Sequence, residues 1–143
     1  MSFEGAWNND STSGWVGIDL DGTLAIYDGW NNGEIGAPIE SNVNKVKVWL
    51  RLGYRVKVMT ARANDIKQIK IVQDWLVKQG LPPLDVTSVK DFLMIELHDD
   101  RAVAYETNTG RQLSPSRVDN YINDPKAAFR QLSYFLLSQD NKE

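Results

Sequence analysis

Apolar runs of strand length alternate with segments of helical period along this chain, and that alternation narrows the fold more than any other feature. Trp15 to Asp19 reads as a first strand. Glu40 to Leu52 sets Val43, Val46, Trp49 and Leu50 on one face of a helix and stops at Gly53, with Ser41 or Asn42 available as the cap. Tyr54 to Met59 alternates Val56 and Val58 with Arg55 and Lys57, the period of a second strand. Asn64 to Gln79 carries Ile66, Ile69, Val72 and Leu76 at helical spacing. Asp65 in its first turn and Lys78 in its last complement the helix dipole. Leu84 to Val89 and Phe92 to Leu97 are two further strands, separated by a Lys90-Asp91 turn. The order strand, helix, strand, helix, strand, strand predicts a parallel sheet sandwiched by helices, an α/β fold. In open sheets of that kind a ligand sits at the carboxyl ends of the strands.

The remaining segments frame this core. Residues 1–13 are polar and aperiodic, a mobile lead-in in which Phe3 and Trp7 can dock on the body. Residues 25–38, glycine- and asparagine-rich with Tyr27, Trp30 and Ile35, suggest a flap over a pocket, its aromatics suited either to touch a substrate or to pin the loop. Val103 to Glu106, the turn T-N-T-G and Arg111 to Leu113 form an antiparallel hairpin at a sheet edge. Asp124 as cap, Pro125 at the first helical position and an apolar face of Ala128, Phe129, Leu132, Phe135 and Leu136 signal a last helix, with a fraying tail at 138–143.

The 143 residues fit a single domain with a real core. Hydrophobic residues at 42% and charged residues at 24% match a globular chain, with neither a bilayer-spanning run nor a secretory signal, so a cytoplasmic location is expected. The absence of cysteine excludes disulfides, thiolate metal sites and cysteine nucleophiles. A formal net charge of -3 argues against a broad nucleic-acid-binding surface, while leaving a nucleotide or a nucleic-acid end in a local pocket open.

Three polar clusters fall at the carboxyl ends of expected strands: Asp19 with Asp21, Thr60 to Arg62, and Asp99 with Asp100. Carboxylates at i and i+2 of a strand share a side, and adjacent carboxylates are tolerated mainly around a cation, a proton or a substrate. The first pair alone also fits an exposed aspartate turn closed by Gly22. Converging acidic groups with no thiolate suit a hard cation such as Mg2+. A carboxylate beside such a cation can attack phosphorus to give an aspartyl-phosphate, and a second acid can protonate the leaving oxygen. Thr60 and the Ala61 N–H are suitable donors to phosphoryl oxygens.

D-L-D-G-T-L at 19–24, M-T-A-R at 59–62, Lys90 and H-D-D-R at 98–101 resemble the four motifs of the haloacid-dehalogenase-like (HAD) phosphohydrolase superfamily. The resemblance implies a three-layer Rossmann-like fold with Asp19 as nucleophile and Mg2+ ligand. It implies that Asp21 is general acid/base and gives the metal its backbone carbonyl, that Thr60 and Ala61 hold the phosphoryl group, and that Lys90 steadies it. Asp99 or Asp100 completes the metal shell; H-D-D aligned one way favours Asp99, the other way Asp100. The interval from Lys90 to the acidic pair is similar to that of 5'(3')-deoxyribonucleotidases. Arg62 resembles a substrate-holding arginine of polynucleotide 3'-phosphatases and is the substitute cation if Lys90 is a turn lysine. Arg62 equally fits a helix-start arginine paired with Asp65 or Asp100. His98 reads as packed beside the pair, with no catalytic part.

Neither interval between motifs has room for a cap domain. Capless relatives accept large substrates or close the site with a neighbouring subunit, so a homo-oligomer is among the implied partners. The expectation is a Mg2+-dependent phosphomonoester hydrolase acting on a nucleotide or polynucleotide 3'-phosphate. The alternatives are a phosphatase for a sugar phosphate or another small metabolite, and a non-catalytic phosphate-binding protein.

Overall fold

Val16 and Ile18 alternate with Trp15 and Gly17 along β1 (Trp15–Ile18), and all four are buried, so both faces of this strand are covered. That is the signature of a central parallel strand. The computed structural model describes residue 3 and residues 5–119. In it β1 is followed by α1 (Glu40–Arg51), β2 (Arg55–Met59), α2 (Ile66–Lys78), β3 (Asp85–Thr87) and β4 (Met94–His98). The four strands form one sheet in the order β3-β2-β1-β4, every pairing parallel. The chain is α/β, as the alternation predicts. The last helix, expected from Asp124 through Leu136, and the tail lie outside the described residues.

Two units can be told apart along the chain, residues 1–101 and 102–143. In the first, Val16, Ile18, Val56 and Val58 from the sheet meet Val43, Val46 and Leu50 of α1 and Val72, Trp75 and Leu76 of α2 in one apolar cluster. α1 buries the face its spacing marks out, whereas α2 buries Val72 and Leu76 of its expected face together with Trp75 and leaves Ile66 in its first turn exposed; burying each such side chain contributes about 1.5–3 kcal/mol. In the second, the expected hairpin is reduced to one antiparallel bridge, Tyr105 with Gln112, beside a turn with Asn108 and Gly110 at positive φ. It is not a strand of the sheet. Tyr105 and Leu113 on its arms stay exposed, so little apolar burial favours a longer ladder.

Element boundaries differ from expectation where side chains compete for backbone groups. α2 starts at Ile66, not Asn64, because Asp65 is extended and its side chain accepts from the Lys67 N–H at 2.9 Å. The cap of α1 is Ile39, without a side-chain bond; Asn42 instead donates to the Thr23 carbonyl at 2.8 Å. β4 starts at Met94 because Asp91 closes a turn on the Leu93 N–H. The described part of the amino-terminal segment docks on the body through the two aromatics expected to do so. Asn8 donates to Ser13 Oγ and to the Gly53 carbonyl, while Phe3 and Trp7 pack against the core. No helix among the described residues is long and apolar enough to cross a membrane.

Candidate functional site

Parallel pairing brings the strand ends to one level, and the ladder continues one residue past β1 and β2. The Asp19 N–H donates to the His98 carbonyl at 2.9 Å, and the Thr60 N–H donates to the Thr87 carbonyl at 2.8 Å. Because β1 lies between β2 and β4, Asp19 emerges with Thr60 on one side and Asp99 on the other. Carboxylate oxygens of Asp19, Asp99 and Asp100 lie within 4.8 Å of one another. Burial, the Asp99 charge and a hydrogen bond with Asp100 push the Asp19 carboxyl up to about 7. Such a cluster is a poor home for three negative charges and a good one for a cation. Its all-oxygen donor set, open to a cavity, fits a hard divalent ion such as Mg2+.

The turn after β1 is built around the acidic pair. Gly22 has φ +93°, and a Cβ there would lie 2.5 Å from Asp100 Oδ2, so glycine is required both by conformation and by space. Thr23 braces the same residue: its hydroxyl donates to Asp100 Oδ1 and accepts from the Asp100 N–H, both at 3.0 Å. Asp99 is turned by its own bond, Oδ1 accepting from the Arg101 N–H at 2.7 Å. Both aspartates of the pair belong to the cluster, Asp99 on the cavity wall and Asp100 against Gly22.

A cavity of about 840 Å3 opens above these strand ends. Its wall includes Asp19, Asp21, Thr60, Ala61, Arg62 and Asp99. Thr60 is buried and extended, and its hydroxyl accepts from the Arg62 N–H at 3.2 Å, which starts a single 3-10 turn over Ala61–Asn64. Ala61 opens that turn, so no intrahelical carbonyl meets its N–H.

Asp21 and Arg62 are held together. Arg62 donates from Nε and Nη2 to the two oxygens of Asp21, at 2.7 and 3.0 Å. Its Nη1 donates to the Gly33 carbonyl at 2.7 Å and to Gln68 Oε1 at 3.2 Å, and the Trp30 ring lies 4.8 Å from the guanidinium carbon. The partner of Arg62 is thus Asp21, neither Asp65 nor Asp100. Only 3% of its side chain is exposed, so it serves as a structural fork in place of a free cation.

That fork also fastens the flap. Ala25 pairs antiparallel with Pro38, and the Ile26 N–H donates to the Ala37 carbonyl, closing the neck of residues 25–38. Gly36 sits against the Ile26 carbonyl so closely that a Cβ would come within 2.1 Å of it. Ile35 packs on the core, Trp75 Nε1 donates to the Gly36 carbonyl, and Tyr27 and Trp30 face the cavity. Ile35 thus pins the loop to the core, while the aromatics Tyr27 and Trp30 line the cavity.

Lys90 is the expected site residue that the fold leaves apart. It is exposed, in the connection between β3 and β4, and is not among the residues lining the cavity. The connection is fixed instead by Asp91, which accepts from Trp15 Nε1 at 2.9 Å and pairs with Lys57 at 3.8 Å. His98 packs on Trp49 with ring centroids 4.6 Å apart and meets Glu96 at 2.7 Å, away from the cavity wall. Arg101, which the motif H-D-D-R contains, lines the cavity without having been singled out from the sequence.

No protein-family model and no curated protein sequence matches the chain. Among solved structures, a conserved protein from Bacteroides thetaiotaomicron aligns with a TM-score of 0.51 and 16% identity, over 84% of this chain and 97% of that one. At that identity the likeness speaks for the fold alone.

Proposed function

We propose that the chain is a capless, HAD-like phosphomonoester hydrolase that works through an aspartyl-phosphate at Asp19. The observation that carries this reading is the cluster of Asp19, Asp99 and Asp100 at the strand ends, next to Thr60 and in one cavity with Asp21. Asp19 and Asp99 or Asp100 would hold Mg2+, which supplies charge compensation to an anionic phosphoryl group. Asp19, whose ionised form the metal-free site holds back, would be more readily ionised with the ion bound.

The chain's own residues then divide the work. The Asp19 carboxylate attacks phosphorus, the ester P–O bond breaks, and the leaving oxygen takes a proton from Asp21. Asp21 afterwards receives a proton from the water that attacks phosphorus and releases inorganic phosphate, restoring Asp19. Each Asp21 oxygen keeps a second lone pair beside its bond to Arg62, so the fork orients the carboxyl without consuming it. The Thr60 hydroxyl and the Ala61 N–H hold the non-reacting oxygens.

The 840 Å3 cavity greatly exceeds a phosphate group, and Tyr27 and Trp30 on its wall suit a planar leaving group. Nucleotides or polynucleotide 3'-ends are therefore the favoured substrates, ahead of sugar phosphates. The test is release of an aryl alcohol from a chromogenic aryl phosphate, with and without Mg2+, by the parent and by Asp19→Asn. Mg2+-dependent turnover lost in Asp19→Asn is expected; no turnover by the parent at any pH refutes the reading. A panel of mononucleotides, 3'-phosphorylated oligonucleotides and sugar phosphates then decides the substrate class.

A further inference from the structure

We propose that Arg101 is the substrate-binding cation of this site, the side chain that meets the anionic oxygens of the phosphate ester. The inference rests on the phosphoryl-transfer reading above and assigns a role that the motif resemblance gives to Lys90.

Among the described residues two basic side chains line the cavity, Arg62 and Arg101. Arg62 is spent. Its Nε and Nη2 hold Asp21, its Nη1 holds the Gly33 carbonyl and Gln68, and it is 6% exposed. Swinging it toward a substrate would strand buried acceptors, each costing far more than a solvated contact returns. Lys90 is off the wall.

Arg101 has the opposite properties. Its backbone is fixed at the acidic cluster by the 2.7 Å bond from its N–H to Asp99 Oδ1. Its side chain is exposed, and among the described residues the guanidinium makes no hydrogen bond or ion pair. A root held at the cluster and a free, planar fork of donors is the arrangement that suits a phosphate dianion. The charge balance asks for it as well. Arg62 offsets Asp21, while Asp19, Asp99 and Asp100 together carry one charge more than a divalent ion neutralises when all are ionised. An incoming dianion therefore needs a further positive group.

The test measures inorganic phosphate binding to the Mg2+-loaded protein by calorimetry, for the parent, Arg101→Gln, Arg101→Lys and Lys90→Gln. Both positions are exposed, so the variants keep the fold, which a thermal melt verifies. Arg101→Gln is expected to weaken phosphate binding about tenfold, Arg101→Lys less, and Lys90→Gln by under about twofold. With an aryl phosphate, kcat/KM of Arg101→Gln falls about a hundredfold. Parent-like binding by Arg101→Gln, or a larger loss in Lys90→Gln, overturns the assignment and leaves the phosphatase reading standing. A parent that binds no phosphate overturns both.

Discussion

Replacing Asp19 with asparagine removes the proposed nucleophile, yet it should stabilise the metal-free protein. The Asp19 carboxyl is raised from 3.8 to about 7, chiefly by burial and then by Asp99. A folded-state value above the unfolded one means that the folded protein binds the proton more tightly. The penalty is absent below about pH 4, grows as pH rises toward 7, and is complete above it. Three units correspond to about 4 kcal/mol. Because the residue is only half-buried, solvent screening brings the expected figure to about 2 kcal/mol. In a chain of this length that is about 6 °C in Tm. The assay is thermal unfolding of parent and Asp19→Asn in a chelator at pH 4 and pH 8, repeated at pH 8 with saturating Mg2+. The variant should melt about 6 °C higher at pH 8 and level with the parent at pH 4. Added Mg2+ should close the gap by stabilising the parent alone. A variant no more stable than the parent at pH 8, or equally stabilised at both pH values, would show that the Asp19 charge does not destabilise the metal-free fold.

Gly22→Ala forces an L side chain into a left-handed turn and drives its Cβ into Asp100. A loss of about 2–3 kcal/mol in chemical denaturation and weaker Mg2+ binding by calorimetry are expected. Thr23→Val keeps the shape but removes the hydroxyl that both donates to and accepts from Asp100. It should cost about 1–2 kcal/mol in urea unfolding and lower Mg2+ affinity with the fold intact. Arg62→Lys retains the charge but cannot bridge Asp21, Gly33 and Gln68 together. Amide exchange in residues 26–38 should accelerate about tenfold, and kcat should fall more than KM rises.

The alternation of Val56 and Val58 and the spacing of Val43, Val46 and Leu50 were enough to read the parallel α/β core, because period and burial are local consequences of one another. The same logic put Asp19, Thr60 and Asp99 on one edge: in a parallel sheet, residues just past the strands share a level. What escaped depends on distant partners. Nothing near Arg62 in the chain marks Asp21, 41 residues away, as its partner, or Gly33 as its third anchor. Lys90 fits a motif by type, but its place follows from Asp91 reaching Trp15 and Lys57. Asn42 looks like a helix cap, yet the Thr23 carbonyl takes its side chain. Arg101 carries one cue, its position directly after the acidic pair, and burial alone separates it from Arg62.

Whether Asp19 carries the phosphoryl group can be read by borohydride trapping. Reduction of an aspartyl-phosphate during turnover converts the residue to homoserine, which peptide mass spectrometry locates. Homoserine is expected at position 19 only when Mg2+ and a phosphate ester are both present. Turnover that proceeds with position 19 unmodified, or with another carboxylate reduced in its place, would contradict that role for Asp19.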